Sequence, residues 1–361
     1  MPQRPRPGVV AATAVTALGA FALAAPAASA AVSDVPCDSA ALVQAVAAAN
    51  ATAESDTLSL TPNCVYTLTT AVDGTYGSGL PMIKGTLTVN GNNATIARAQ
   101  DAPQFRIFMN DGDLTLNSVT LTGGHAPDAD SFSGDGRAGE NGGAIHSWGP
   151  LAVTDSVITG NVAGAGSPGA DGTGGWGGAG GSGGGIDATS GIILQITGSV
   201  ITGNATADGG AGGAGGPTRG GSGDGGTGGL GAGVSFMGNN VSRPPLNPVI
   251  TGTRISDNRA GRGGDAGIPG PGGSLGYAGS GGTGAGVVVL WDSLTVDGGV
   301  ITGNTAGEPG TGNYPRAANG GGIDTVSSHV TLTNGAVLTD NKPNNCGSVA
   351  AVPGCVNTPA A

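Results

Sequence analysis

The sequence has few basic residues: 13 Lys and Arg stand against 24 Asp and Glu, and the formal net charge is −11. Nucleic acids and anionic membrane surfaces attract proteins through clustered Lys and Arg, so this balance argues against both as partners. After residue 30 the chain also lacks any apolar run long enough to span a bilayer. We therefore expect no membrane insertion.

The cysteines and histidines lack the spacing of a metal site. There is no Cys-x-x-Cys pair, and the three histidines lie far along the sequence from the four cysteines. Four cysteines allow three pairings, and proximity favours Cys37 with Cys64 and Cys346 with Cys355. Disulfides persist in oxidising compartments, which fits an exported protein.

Residues 1–30 have the features of a secretory signal peptide. Two arginines precede an Ala-rich apolar run, and Ala-Ser-Ala at 28–30 is a small-x-small cleavage site. A membrane anchor is the alternative, but the cleavage signature directly after the apolar run favours the signal peptide. Removal of this segment takes away two arginines and no acid, which changes the net charge from −11 to −13. We expect a secreted protein, either extracellular or associated with the cell wall.

Glycine is abundant, with 75 Gly beside 22 Pro. Such a composition without a period is typical of disordered chains, so the interpretation depends on whether a period exists. Similar units recur, and each closes on an asparagine: Asn161, Asn204, Asn258, Asn304 and Asn341. The distance from the apolar residue after the glycines to this asparagine stays between 16 and 24 residues, and the remaining variation falls in Gly-rich inserts. This pattern is typical of a solenoid.

The repeated units are predicted to be β-strands. Segments such as "LAVTDSVIT" alternate apolar with polar residues and are rich in Val, Ile and Thr. Each unit can form one rung of two or three short strands, stacked at about 4.8 Å. The only good helical pattern covers 37–50, with Asp38 or Ser39 as its N-cap, and we expect it to cover the open end of the first rung.

The repeat "NGGAIHSWGPLAVTDSVITGN" at 141–161 is similar to the repeat of chlamydial-type polymorphic outer membrane proteins, which has a Gly-Gly-Ala-Ile start and a closing Asn. The N-terminal region from residue 37 resembles that of many secreted β-helix proteins. The resemblance covers roughly 37–341 and implies a right-handed parallel β-helix, the pectate-lyase-like fold. Nothing after 341 resembles the strands of a membrane barrel, so autotransport is not implied.

The predicted fold class is therefore all-β, with a signal peptide over 1–30, a β-helix over 31–345 and a disulfide-closed tail over 346–361. Within the β-helix we expect an N-terminal cap at 37–64 and repeat rungs at 141–341. Four Gly-rich inserts follow closing asparagines and should stack side by side at one corner: 162–182, 205–230, 259–283 and 305–319. They form either a flexible fringe or closely packed extended glycine helices.

The closing asparagines are predicted to be structural, because inward amides can bond backbone groups and one another; a sugar-binding row is the alternative. The residue after each inward apolar residue is expected on the outer face, at His146, Asp187, Ser235, Val288 and Asp324. Adjacent rungs would then place His146 beside Asp187. Such a pair is a candidate general acid–base pair or half of a metal site, and a surface polar pair is the plainer interpretation.

Other side chains give weaker indications. Aspartates recur in the Gly-rich regions, at Asp135, Asp171, Asp224 and Asp265. They lack the nine-residue spacing of a calcium-binding β-roll, so we expect no cofactor, with calcium as the alternative. The three tryptophans would stack on sugar rings if exposed, and burial under a loop is the alternative: Trp148, Trp176 and Trp291.

Two functions remain open. The first is a non-enzymatic surface, adhesion or matrix protein that binds a polysaccharide or a cell-envelope component. The second is a polysaccharide lyase or glycoside hydrolase, with His146 and Asp187 as its catalytic candidates. The sequence shows neither the paired carboxylates of a hydrolase nor the acidic calcium cluster of a lyase, which favours the first function.

Overall fold

A computed structural model describes residues 32–131, 133–189, 192–217, 220–238, 248–348 and 350–357. The predicted signal peptide lies outside these residues, as do parts of the 205–230 insert and of the C-terminal tail. None of the helices in the described ranges has the length and apolar character needed to cross a membrane.

Parallel β-strands make up most of the regular structure. The N-terminal region contains β1 (Val32–Val35), α1 (Ser39–Ala49), β2 (Asp56–Leu60), β3 (Val65–Leu68), β4 (Thr86–Arg98), β5 (Phe108–Asn110) and β6 (Asp113–Thr122). The first two repeats contain β7 (Ile145–Ser147), β8 (Leu151–Thr154), β9 (Val157–Thr159), β10 (Ile186–Ala188), β11 (Leu194–Thr197) and β12 (Val200–Thr202). The last three contain β13 (Val234–Met237), β14 (Val249–Thr251), β15 (Arg254–Ser256), β16 (Val287–Leu290), β17 (Ser293–Asp297), β18 (Val300–Thr302), β19 (Ile323–Val326), β20 (His329–Thr333) and β21 (Val337–Thr339).

Each repeat gives its first strand to one sheet and its other two to a second sheet. The first sheet has the order β19-β16-β13-β10-β7-β5, and the second runs β20-β17-β14-β11-β8-β6-β9-β12-β15-β18-β21, with β1 to β4 beside it. Equivalent strands of successive repeats pair in parallel, as Ile186 does with Ile145 and Val234. This arrangement confirms the predicted all-β parallel β-helix.

The core is a set of apolar stacks inside the coil. Ile158, Ile201, Ile255 and Ile301 lie directly above one another in the second sheet and are buried. Burial of one such side chain contributes about 1.5–3 kcal/mol, so a column repeated in every rung stabilises the whole length of the coil.

Both ends are closed by local structures. At the N-terminus α1 begins after Asp38, whose carboxylate accepts a hydrogen bond from the Ala41 N–H at 2.8 Å, and it buries Leu42 and Val46. The predicted capping helix is therefore present. Disulfides join Cys37 to Cys64 near this cap and Cys346 to Cys355 after the last rung.

The Gly-rich inserts pack as extended arms, which answers the question that the sequence left open. The described part of each insert runs out from the β-helix and back, and residues 124–131 and 133–142 form an additional loop of the same kind before the first insert. Outgoing arms bond laterally every third residue; the donor N–H and acceptor carbonyl residues include Gly166 to Asp208, Gly209 to Arg262 and Gly263 to Glu308, at 2.9–3.1 Å. Return arms bond in the same way, as Gly139 to Ala179, Gly180 to Thr227 and Gly228 to Ser280.

Hydrogen bonds also join the outgoing arms to the return arms, so the two sets form one glycine layer. For example, the Gly210 N–H donates to the Gly178 carbonyl and the Gly226 N–H to the Gly210 carbonyl, both at 2.8 Å. A Cβ atom on Gly210 would lie 2.0 Å from the carbonyl oxygen of Ser167. Only glycine allows backbones to approach this closely, as in other packed extended helices.

Candidate functional site

The five closing asparagines form a buried amide ladder along the coil axis. The Nδ2 of each donates to the Oδ1 of the next at 2.9–3.0 Å, and the last rung donates to Asn345 at 3.0 Å. The backbone N–H of each asparagine donates to the same oxygen. Because every amide is enclosed and hydrogen-bonded, this row offers no polar group to a sugar.

The structure brings His146 and Asp187 together. Their strands pair in register, and Nδ1 of His146 lies 2.8 Å from Oδ2 of Asp187. Although the two atoms lie this close, no hydrogen bond joins them. Within the described ranges neither Nδ1 nor the two carboxylate oxygens have a hydrogen-bond partner.

His146 and Asp187 follow the inward Ile145 and Ile186, as expected, but they do not form a surface polar pair, because both are buried. The side chains of His146 and Asp187 are 10% and 1% exposed. The glycine turn before each rung folds over the residue after the inward isoleucine. Gly142 has φ +71°, and a Cβ there would lie 2.7 Å from Cβ of His146; Gly183, with φ +67°, approaches Asp187 equally closely. Ser235 and Val288 are buried in the same column, and only Asp324 in the last rung is partly exposed.

Aromatic and charged groups surround the His146–Asp187 pair. The rings of Trp148 and His146 meet edge-on with their centroids 5.3 Å apart, and those of Trp148 and Tyr76 meet edge-on at 5.5 Å. Nearby, buried Arg106 pairs with Glu140 at 3.0 Å; burial lowers the pKa of Arg106, and the Glu140 carboxylate opposes that shift. An oriented imidazole can move protons only where substrate reaches it, and this one is enclosed.

The recurring aspartates hold neighbouring arms together. Each accepts the backbone N–H of a residue in the next arm at 2.7–2.8 Å; the pairs are Asp135 with Trp176, Asp171 with Ala214, Asp224 with Tyr277 and Asp265 with Thr311. Among the described side chains no group of three or more His, Cys, Asp and Glu is placed to hold a metal ion. The four aspartates therefore recur because each one joins two neighbouring arms.

The return arms present an exposed aromatic face. Trp176, Tyr277 and Tyr314 are 61%, 56% and 75% exposed, whereas Trp148 and Trp291 are 37% and 40% exposed. Trp176 and Tyr277 occupy equivalent positions in their arms. The rings of Tyr277 and Tyr314 lie 5.7 Å apart and are tilted by 32°. Exposed rings on a hydrogen-bonded backbone are typical of binding surfaces.

A groove with a volume of about 670 Å³ lies on this face, lined by Asp224, Thr227, Tyr277, Ser280, Tyr314 and Arg316 among others. It lies where the last return arm departs from the regular lateral hydrogen bonding of the other return arms. In the preceding arm, the N–H groups of Gly225 and Gly228 donate to the next arm without a gap. Toward the last arm, Ala278 and Gly284 donate in the same way, but Gly281 makes no such bond within the described residues. The last arm has one extra residue between Asn313 and Gly320, and residues 314–319 are exposed except for Ala318.

This face could not be found from the sequence, because equivalent residues of neighbouring arms are separated by between 36 positions (Tyr277 to Asn313) and 53 positions (Asp224 to Tyr277). The available signal was a single Trp or Tyr among the small residues that occupy every third position of a Gly-rich arm, and it identifies a face only once the alignment of the arms is known. No protein-family model, no curated protein and no solved structure matches this chain.

Proposed function

We propose that this protein is a secreted, non-enzymatic β-helix of the cell surface or extracellular matrix that binds a polysaccharide on the exposed face of its return arms. The observation that carries the proposal is the set of three exposed rings, Trp176, Tyr277 and Tyr314, on return arms that belong to one hydrogen-bonded layer. Aromatic faces stack on sugar rings, and the polar lining of the groove can bond sugar hydroxyls.

The proposal includes secretion of the protein and a relation of its repeats to a known repeat family. The signal-peptide features of residues 1–30, together with two disulfides, support secretion. The Gly-Gly-Ala-Ile start of the first repeat and the closing Asn of every repeat support a relation to polymorphic-outer-membrane-type repeats on a pectate-lyase-like coil.

Retention on a panel of insoluble polysaccharides tests the function. Trp176→Ala and Tyr277→Ala should each weaken binding about 5- to 10-fold, since one stacked ring contributes about 1 kcal/mol. Trp291→Ala is the matched control, because this partly exposed ring lies on the β-helix and outside the glycine layer; it should bind normally. If the intact protein is retained by no polysaccharide, the proposal is wrong.

A polysaccharide-cleaving enzyme is the second candidate, favoured by the 2.8 Å approach of His146 to Asp187. Its test is the release of reducing ends or unsaturated products from the same panel. Cleavage that is lost in both His146→Ala and Asp187→Asn, while the variants remain folded by circular dichroism, would replace the binding function with an enzymatic one.

A further inference from the structure

We propose that the glycan bound here carries free amino groups and lies across the return arms, along an acid–aromatic row formed by Asp135, Trp176, Asp224 and Tyr277. This inference rests on the proposed function and specifies the chemical class of its ligand. It follows from the alignment of the arms, the bonding of the two aspartates and the charge of the molecule.

The alignment of the row is fixed by backbone hydrogen bonds. The N–H that follows each row residue donates to the carbonyl of the next row residue: Gly136 to Trp176 at 2.6 Å, Gly177 to Asp224 at 2.8 Å and Gly225 to Tyr277 at 2.9 Å. The four residues therefore occupy equivalent positions in successive arms. A polymer that crosses the arms meets carboxylate, ring, carboxylate and ring in that order.

The two carboxylates are held in place beside the rings. Oδ1 of Asp135 accepts the Trp176 N–H, and Oδ1 of Asp224 accepts the Tyr277 N–H, each at 2.8 Å. Oδ2 of both aspartates has no partner within the described ranges and remains for a ligand. Ammonium groups are attracted both to carboxylates and to the faces of Trp and Tyr, so an alternating row of the two favours an amino sugar.

The spacing suits a repeating polymer. Hydrogen-bonded extended chains lie about 4.8 Å apart, so like groups in the row, two arms apart, recur at about 10 Å. The net charge of −11 further disfavours uronate or sulfated glycans. Arg316 also lines the groove and places a cation beyond the Tyr277 end of the row. Thr227 and Ser280 add hydroxyls for the neutral parts of a sugar.

The test compares oligomers of β-linked glucosamine with the same oligomers fully N-acetylated, using titration calorimetry on the secreted protein. We expect the free-amine oligomers to bind about tenfold more tightly, with an advantage that shrinks as salt is added. Asp224→Asn should remove most of this preference while keeping the oxygen that accepts the Tyr277 N–H. Asp171→Asn, which preserves the equivalent bond to Ala214 outside the row, should retain it.

The outcomes separate this inference from the proposed function. Equal affinity for both oligomers, with loss in Trp176→Ala, overturns the amino-sugar inference and leaves polysaccharide binding in place. Failure to bind either oligomer, alongside retention on another polysaccharide, does the same. Polylysine that binds as tightly as the glucosamine oligomers and depends equally on Asp224 would show a general cation site and contradict a glycan ligand.

Discussion

Asn258 lies in the middle of the amide ladder and links three rungs. Its Oδ1 accepts both the backbone N–H and the Nδ2 of Asn204, and its own Nδ2 donates to Asn304 and to the Ile201 carbonyl. The residue is 1% exposed, so water cannot replace these bonds. At the residue scale the coil therefore depends on amides that satisfy one another.

Asn258→Ala should lower the free energy of unfolding by about 3 kcal/mol, because the donors of Asn204 are left buried without an acceptor. Urea unfolding followed by circular dichroism measures the change. Asn319→Ala is the control: its side chain is exposed and makes no hydrogen bond within the described ranges, so its effect should stay within about 0.5 kcal/mol. Equal effects of the two changes would contradict a stabilising ladder.

At the scale of elements, a proline in the last outgoing arm interrupts the lateral hydrogen bonds of the glycine layer. Gly166, Gly209 and Gly263 each donate laterally to the next outgoing arm, and the equivalent residue of the last arm is Pro309. Proline has no N–H to offer, so this position of the last outgoing arm cannot donate to another chain. Asp265 fastens this last arm by accepting the Thr311 N–H at 2.7 Å and the Arg262 guanidinium at 2.6 Å.

The bond from Arg262, followed by that from the Thr311 amide, lowers the pKa of Asp265 to about 2. Since the unfolded value is about 3.9, the carboxylate adds stability above about pH 4, and this contribution is lost as the pH falls through 2. The side chain is 45% exposed, so solvent screening limits the contribution to about 1 kcal/mol. Carboxyl NMR titration should show this pKa rising toward 4 in Arg262→Gln; an unchanged pKa would contradict the role of Arg262.

At the scale of the whole molecule, the coil has two ends of different construction. The Cys37–Cys64 disulfide spans 27 residues and ties the capping helix to the first rungs, whereas Cys346–Cys355 spans nine residues after the last rung. In a solenoid each rung contacts only its neighbours, so loss of a cap opens the molecule from that end.

Replacement of Cys37 and Cys64 by serine should cost about 3.5 kcal/mol, and replacement of Cys346 and Cys355 about 2.6 kcal/mol, because the longer loop restricts the unfolded chain more. Limited proteolysis with mass spectrometry should show the first cuts near the N-terminal cap in the former variant and after residue 341 in the latter. The opposite order of destabilisation, measured by urea unfolding, would contradict this account.

The sequence by itself determined the β-helix, its rungs, the capping helix and the adjacency of His146 and Asp187, because all of these follow from short periodic patterns of apolar residues, glycine and asparagine. Tertiary structure alone decided that the glycine turns bury His146 and Asp187, since the path of a turn over a neighbouring rung leaves no local signal. It also decided that the inserts form an ordered layer and that Trp176, Asp224 and Tyr277 share one face. Their alignment is set by lateral hydrogen bonds between arms that are more than forty residues apart in the chain.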